Sequence, residues 1–230
     1  MSDASTLNAM TPELLLGLSF SLRLALTCES VRGLVLQGAG PHFCTGGRYD
    51  AASQGKVPQW VHGSGLVLDR IRSSTLRSTT VLHGASIGGG LLLGLAADRR
   101  VCTPRAVFRL GVAPHGLSPI VLATDVLPRM IGYGLAAQMY LADHEMDANQ
   151  ASRSGFVHQL SPDAESARVL ARFDASLGSQ DPHARCVDAD QGLLVQETLL
   201  NGEASGAVSD LMMVMMMRRA PPRRSSSRPA

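Results

Sequence analysis

Two stretches decide the reading: VRGLVLQGAGPHFCTGG at residues 31–47 and TTVLHGASIGGGLLLGLAAD at residues 79–98. In each, a β-rich run leads into a glycine-rich loop. Val31 to Gln37 and Thr79 to His83 are the runs, and 38–47 and 84–90 are the loops. The second loop opens LLLGLAAD (91–98), whose apolar character predicts a buried helix. Glycine in such loops lets backbone N–H groups approach a ligand closely. Amides at the start of a helix also carry the positive end of its dipole. Two such loops converging on one oxygen form an oxyanion hole for an enolate or a tetrahedral intermediate. The same glycines also suit tight strand-to-helix packing, and alone they do not separate the two uses.

Outward from these loops, strands and helices alternate, which predicts an α/β fold. Thr11 is an N-cap, Pro12 fits the first helical position, and Glu13 sits in the first turn. Leu15, Leu18, Leu22 and Leu26 follow at helical spacing with Ala25 beside them, so a helix spans about 12–27. Further helices are expected near 60–73, 121–132, 134–142, 163–176 and 187–200, with a helical turn or two after the N-cap Asp147. Short strands are expected at 100–102, 107–110 and 156–160. The segment LMMVMMM (211–217) is read as a helix packed on the body or on another protomer, with a poorly ordered end as the alternative. The organisation expected is a core over 1–178, a helical region over 179–217 and a basic tail over 218–230.

At 230 residues the chain suits one domain with an appendage. No apolar run approaches the ~20 residues that span a bilayer. The start, MSDASTLNAM, has neither the basic nor the apolar region of a secretory signal. The C-terminal SRPA is not a peroxisomal signal, so the expected compartment is the cytoplasm. The four cysteines lie far apart, which excludes a disulfide scaffold and a structural zinc site. The net charge of +2 comes from the last thirteen residues, which hold five arginines and no acid. Without them the body carries −3. The tail is read as solvated chain, with no nucleic-acid partner expected.

The stretches 7–15, 31–47, 83–98, 107–132 and 151–160, taken together and in register, resemble the crotonase, or enoyl-CoA hydratase/isomerase, superfamily. FCTGG and HG-x-x-IGGG are most similar in wording to its polyketide-associated branch. The resemblance implies a spiral of ββα units and a homotrimer or a dimer of trimers. It implies a substrate that is an acyl thioester of coenzyme A or of an acyl carrier protein, with no cofactor beyond that CoA or phosphopantetheine arm. Carried over by motif, the oxyanion amides are those of Gly47 and Gly89. Asn8, Ala9, Cys44, Gly46, Arg48, Gly88, Gly90 and Val112 are the matching candidates for the thioester-binding surface.

The chain departs from the family pattern at the chemistry. The hydratases' two glutamates fall on Leu92 and Val112, which cannot transfer protons. Branches that keep the hole and drop both acids include decarboxylases, where the enolate forms by loss of CO₂. The polyketide branch's C-terminal histidine finds no match after His183, and Lys56 is the one candidate for its lysine. His115 and Tyr49 are the remaining candidate proton donors, with Arg48 and Asp50 beside Tyr49. His83 is expected to be buried and hydrogen-bonded. Family members carry a β-hairpin before the first helix, yet only seven residues precede Asn8, which implies an N-terminally truncated spiral with an open sheet edge.

Two rival readings stand beside this one. Gly84-Ala85-Ser86-Ile87-Gly88 is literally G-x-S-x-G between a strand and a helix, and Asp143 and His158 follow in the order of a serine esterase. A crotonase-fold protein that binds a thioester or assembles without turnover is the other.

Overall fold

Thr11 starts helix α1 (Pro12–Thr27) by accepting the Leu14 amide on its hydroxyl, 3.2 Å away, with Pro12 in the first turn. In the computed structural model, which describes residues 6–28, 30–47, 59–177 and 212–218, the chain then runs through β1 (Val31–Gly38), α2 (Gln59–Arg72), β2 (Arg77–Leu82) and β3 (Ala85–Ile87). There follow α3 (Gly89–Ala96), β4 (Arg99–Cys102), β5 (Val107–Arg109), α4 (Val126–Ile131), α5 (Tyr133–Leu141) and β6 (Met146–Asp147). The series closes with α6 (Ala148–Arg153), β7 (Gln159–Leu160), α7 (Ala164–Leu177) and β8 (Met212–Arg218).

The strands form two sheets. The larger has the order β7-β4-β2-β1-β8, parallel except for antiparallel β8, and the smaller has the order β3-β5-β6. Both faces of the larger sheet are covered. Val35, Val81 and Val101 pack on Ala167 and Ala171 of α7. Leu34, Leu36 and Leu82 join the main core with Leu14, Leu18 and Leu22 of α1 and with Leu91 of α3. A parallel sheet covered on both sides needs continuous apolar strands, which is why VRGLVLQ and TTVLH lack polar alternation.

Several expectations are corrected. The apolar face of α1 runs through Leu14, Leu15, Leu18, Leu22 and Ala25; Leu26, expected on it, is exposed. The helix expected over 121–132 is broken into a 3-10 turn, Val121–Ala123, and the short α4. Phe156 and Val157 are buried, but only Gln159–Leu160 of that run is a strand. The segment expected as a packed helix at 211–217 is strand β8 over Met212–Arg218, paired with β1 from Gly38↔Met212 to Val31↔Arg218. The edge of β1 expected to be open is therefore paired. Unbranched methionine favours helix weakly, whereas an unpaired edge leaves a whole row of N–H and C=O groups unbonded. The helix expected near 187–200 lies outside the described residues.

One buried cation ties the two ends of the spiral together. Arg100 on β4 donates from Nε to the Phe156 carbonyl at 2.5 Å and from a terminal nitrogen to the Ala97 and Gly94 carbonyls at 2.7 and 3.2 Å. Its guanidinium lies 5.7 Å from the Phe156 ring centre, and that ring packs edge-on against Phe108. Burial pulls the Arg100 pKa down to about 10, so the group stays charged at neutral pH. The negative end of α3 and three carbonyls take the place of a carboxylate partner. Replacing Arg100 by Met is expected to cost about 2–4 kcal/mol, through stranded buried carbonyls. Lysine, which lacks the planar fork, should not restore it. Urea unfolding at pH 7 reads both.

Two histidines are held neutral. Burial lowers the pKa of His83, whose Nε2 contacts the Gly40 carbonyl at 3.1 Å. Burial, then Arg100 and Arg99, lower that of His158, whose Nδ1 accepts the Arg100 amide. Both lie below the ordinary value of 6.5, so the unfolded chain binds more protons just under that pH. Their contribution is complete above 6.5 and is lost as pH falls through the folded values. Stability should be flat above pH 6.5 and decline on acidification, with His83→Gln reducing the slope in a pH series of thermal melts. A slope unchanged by His83→Gln would remove His83 from the account.

Candidate active site

The two glycine loops meet backbone to backbone. The Cys44 amide donates to the Ala85 carbonyl at 3.1 Å, the Ile87 amide to the Cys44 carbonyl at 3.0 Å, and the Phe43 amide to the His83 carbonyl at 2.8 Å. On its other side the first loop receives the Met10 amide on the Gly46 carbonyl at 2.8 Å. Two glycines make this approach possible. A Cβ on Gly90 would lie 2.2 Å from the Cys44 carbonyl oxygen, and one on Gly46, whose φ is +84°, 2.5 Å from that of Ile87.

Beside this seam lies a pocket of about 140 Å³. Gly46, Gly47, Gly88 and Gly89 form one side, and Leu92, Leu110, Val112 and Ile120 give it an apolar wall. His115, at the end of the 3-10 turn Ala113–His115, stands exposed at its lip. Gly47 and Gly89 thus reach one cavity, and among the described residues neither amide donates to a protein acceptor. Gly89 is the first residue of α3, so its N–H also carries the helix dipole.

The residues singled out from sequence fall into three groups. Gly46, Gly47, Gly88, Gly89, Val112 and His115 line the pocket, and so does Leu92. Asn8, Ala9, Cys44 and Gly90 are buried behind it. Asn8 donates from Nδ2 to the Ala39 and His42 carbonyls, both at 2.7 Å, which ties the segment before α1 to the first loop. Burial pushes the Cys44 thiol up to about 12, so it is no nucleophile. Arg48, Tyr49, Asp50 and Lys56 lie outside the described residues. His83 is half-buried and hydrogen-bonded.

Sequence reasoning missed Ile87, Leu110, Gly111, Pro119, Ile120 and Ala123, which complete the lining with Thr45. It also missed the clasp behind them. Asp143 Oδ2 accepts Arg109 Nε at 2.8 Å and a terminal guanidinium nitrogen, and Oδ1 accepts the Gly111 amide at 3.1 Å. The Arg109 contacts hold the Asp143 carboxyl below its ordinary range, with the His115 charge adding to the effect.

The serine-esterase reading is overturned by this geometry. Ser86 is buried in β3, bridged to Cys44 and paired with Phe108, and its hydroxyl has no hydrogen-bond partner. Asp143 is committed to Arg109 and Gly111, and His158 to Arg100. No triad is assembled. Among the described residues no cluster suits a metal ion, and no helix is long and apolar enough to cross a membrane.

Comparison with known proteins agrees with the fold. A probable enoyl-CoA hydratase, echA12, of Mycobacterium leprae is 34% identical over 165 residues, covering 66% of this chain and 55% of that protein. A 4-chlorobenzoyl coenzyme A dehalogenase-2 of Arthrobacter is 27% identical over 186 residues, covering 76% and 66%. This chain therefore spans little more than half the length of the first relative. The crystal structure of an enoyl-CoA hydratase from Bacillus halodurans shares the fold, with a TM-score of 0.71 over 87% of this chain and 80% of that one, at 23% identity. The sequence model described as enoyl-CoA hydratase/isomerase matches residues 1–184, and the chain belongs to that family.

Proposed function

We propose that the pocket receives an acyl thioester, of coenzyme A or of the phosphopantetheine arm of an acyl carrier protein, with its carbonyl oxygen between the Gly47 and Gly89 amides. The observation that carries this reading is that Gly47 and Gly89 line one cavity while, among the described residues, neither amide donates to a protein acceptor. Donors fixed in the backbone need not reorganise as negative charge develops on the oxygen, so they favour the enolate over the ground-state carbonyl.

The reaction class follows from what the wall lacks. With Leu92 and Val112 facing the cavity, the described wall offers no carboxylate to abstract an α-proton or to activate water. Loss of CO₂ from a thioester that carries a carboxylate on Cα, as malonyl does, needs neither. The Cα–carboxylate bond breaks, its electron pair forms the enolate, and CO₂ leaves. Protonation at Cα by His115, Tyr49 or water then gives the shorter acyl thioester. An apolar wall also disfavours the carboxylate of the bound substrate relative to the delocalised transition state. Isomerisation or hydration would need a base from outside the described wall. The same absence of acids favours a second reading, a protein that binds the thioester without turnover. The homo-oligomer implied by the family belongs to the proposal too, supported by Leu16 and Phe20 exposed on α1.

The donor can be tested apart from its surroundings. Any Cβ at Gly89 would meet Met10 Sδ, so Gly89→Ala carries that clash while keeping the N–H. Gly89→Pro carries the same clash, suits the first position of a helix, and loses the N–H. With malonyl-CoA as probe, Gly89→Pro should turn over about 100- to 1,000-fold more slowly than Gly89→Ala. Equal rates would remove the Gly89 amide from the mechanism. A wild-type chain stabilised by malonyl-CoA in thermal melts, yet releasing no CO₂, would establish the non-catalytic reading instead.

A further inference from the structure

The direction of the Gly89 N–H is set by Gly88, and Gly88 is held at both ends. Its carbonyl accepts the Leu92 amide at 3.1 Å, and its own amide donates to the Arg109 carbonyl at 3.0 Å. Gly88 has φ +53° and ψ −115°, a conformation open to glycine alone, so these bonds, and not intrinsic preference, select it. The anchor for the second bond is the end of β5. There the Asp143 carboxylate grips Arg109 through its guanidinium and Gly111 through its amide, and so fixes the residues on either side of Leu110. Asp143 holds this position with φ +50°, a left-handed backbone that aspartate adopts at some cost and glycine at none. The three side-chain bonds to the β5 end offset the cost of that backbone conformation.

We infer that Asp143 is a positioning residue for the Gly89 amide, acting through Arg109 and Gly88. Asp143 does not itself line the pocket, and it reaches the lining only through the Gly111 amide. This rests on the reading of Gly89 as a carbonyl-binding donor. The chain of contacts is Asp143 to Arg109 and Gly111, the Arg109 carbonyl to the Gly88 amide, and the Gly88–Gly89 peptide to the cavity. Without the carboxylate, the end of β5 keeps only its pairing with β3 and β6, so the Gly88 peptide gains freedom and the donor loses its aim while the fold persists.

The test uses Asp143→Gly and Asp143→Asn in the full chain. Glycine removes every side-chain contact but relieves the positive φ, so Asp143→Gly should melt no lower than wild type. Amide exchange at Gly88, followed by NMR, should quicken about tenfold or more in Asp143→Gly. Asparagine keeps an acceptor for Gly111 and should fall between the two. With malonyl-CoA, kcat should drop about 100-fold in Asp143→Gly while KM stays within a few-fold, as expected when a donor is misaligned and not removed. Gly88 exchange at the wild-type rate in Asp143→Gly would overturn the inference. So would a large fall in melting temperature with exchange quickened evenly along the chain, which would make Asp143 a general structural residue. A wild type that neither binds nor turns over malonyl-CoA sinks the reading of the site, yet leaves the exchange measurement at Gly88 to decide the clasp.

Discussion

Everything at this site depends on two loops approaching at backbone distance. Cys44 exchanges hydrogen bonds with Ala85 and Ile87 of β3, so the first loop pairs with that short strand through a single bridge. No side chain fits between them, as Gly90 and Gly46 show by having a carbonyl oxygen where a Cβ would stand. The seam fixes α3 relative to β1, because α3 begins one residue after β3 ends and β1 runs directly into the first loop. The parallel register of β1 and β2, Gly33↔Arg77 through Gln37↔Val81, delivers both loops to the same end of the sheet. Ligand sites at the carboxyl ends of parallel strands are a general consequence of that geometry.

How far the sequence reveals this differs by element. The start of α1 was legible, since Thr11, Pro12 and Glu13 act locally and need no tertiary partner. The strands β1 and β2 were legible because double burial makes them uniformly apolar. The pocket's glycines were legible as a pattern, though not which of them face the cavity; Gly90 and Gly47 differ by contacts that only the folded chain creates. Strand β8 was not legible. LMMVMMM has no alternation, and its state is decided by the edge of β1, some 175 residues earlier in the chain. The clasp was not legible either. Nothing around Asp143 distinguishes it locally, and its partners lie 32 and 34 residues away.

The same distinction between local and distant causes runs through the polar groups behind the site. Asn8 spends its amide nitrogen on carbonyls of the first loop, so what reads as a ligand-facing residue is a strut. Arg100 spends its donors on carbonyls of α3 and on Phe156, which joins the helix after the second loop to the last turn of the spiral. Each satisfies carbonyls that would otherwise be buried without a donor. The loops are therefore supported from behind by side chains and presented to the cavity as bare backbone.

That arrangement separates two kinds of chemical information. The proposed oxyanion donors are peptide N–H groups, so they would persist through any side-chain change that leaves Gly46 and Gly90 without a Cβ and the seam intact. Proton transfer depends on side-chain identity, and a single substitution removes it. Leu92 and Val112 sit in the pocket wall at the positions where the family resemblance locates the hydratase acids, so the glycine loops line the pocket without those side chains. On the proposed reading such a site stabilises negative charge on a carbonyl oxygen, while the described wall holds no carboxylate to create it. The chemistry that reading suits is that in which the substrate supplies its own electron pair, by breaking a bond to carbon and not to hydrogen.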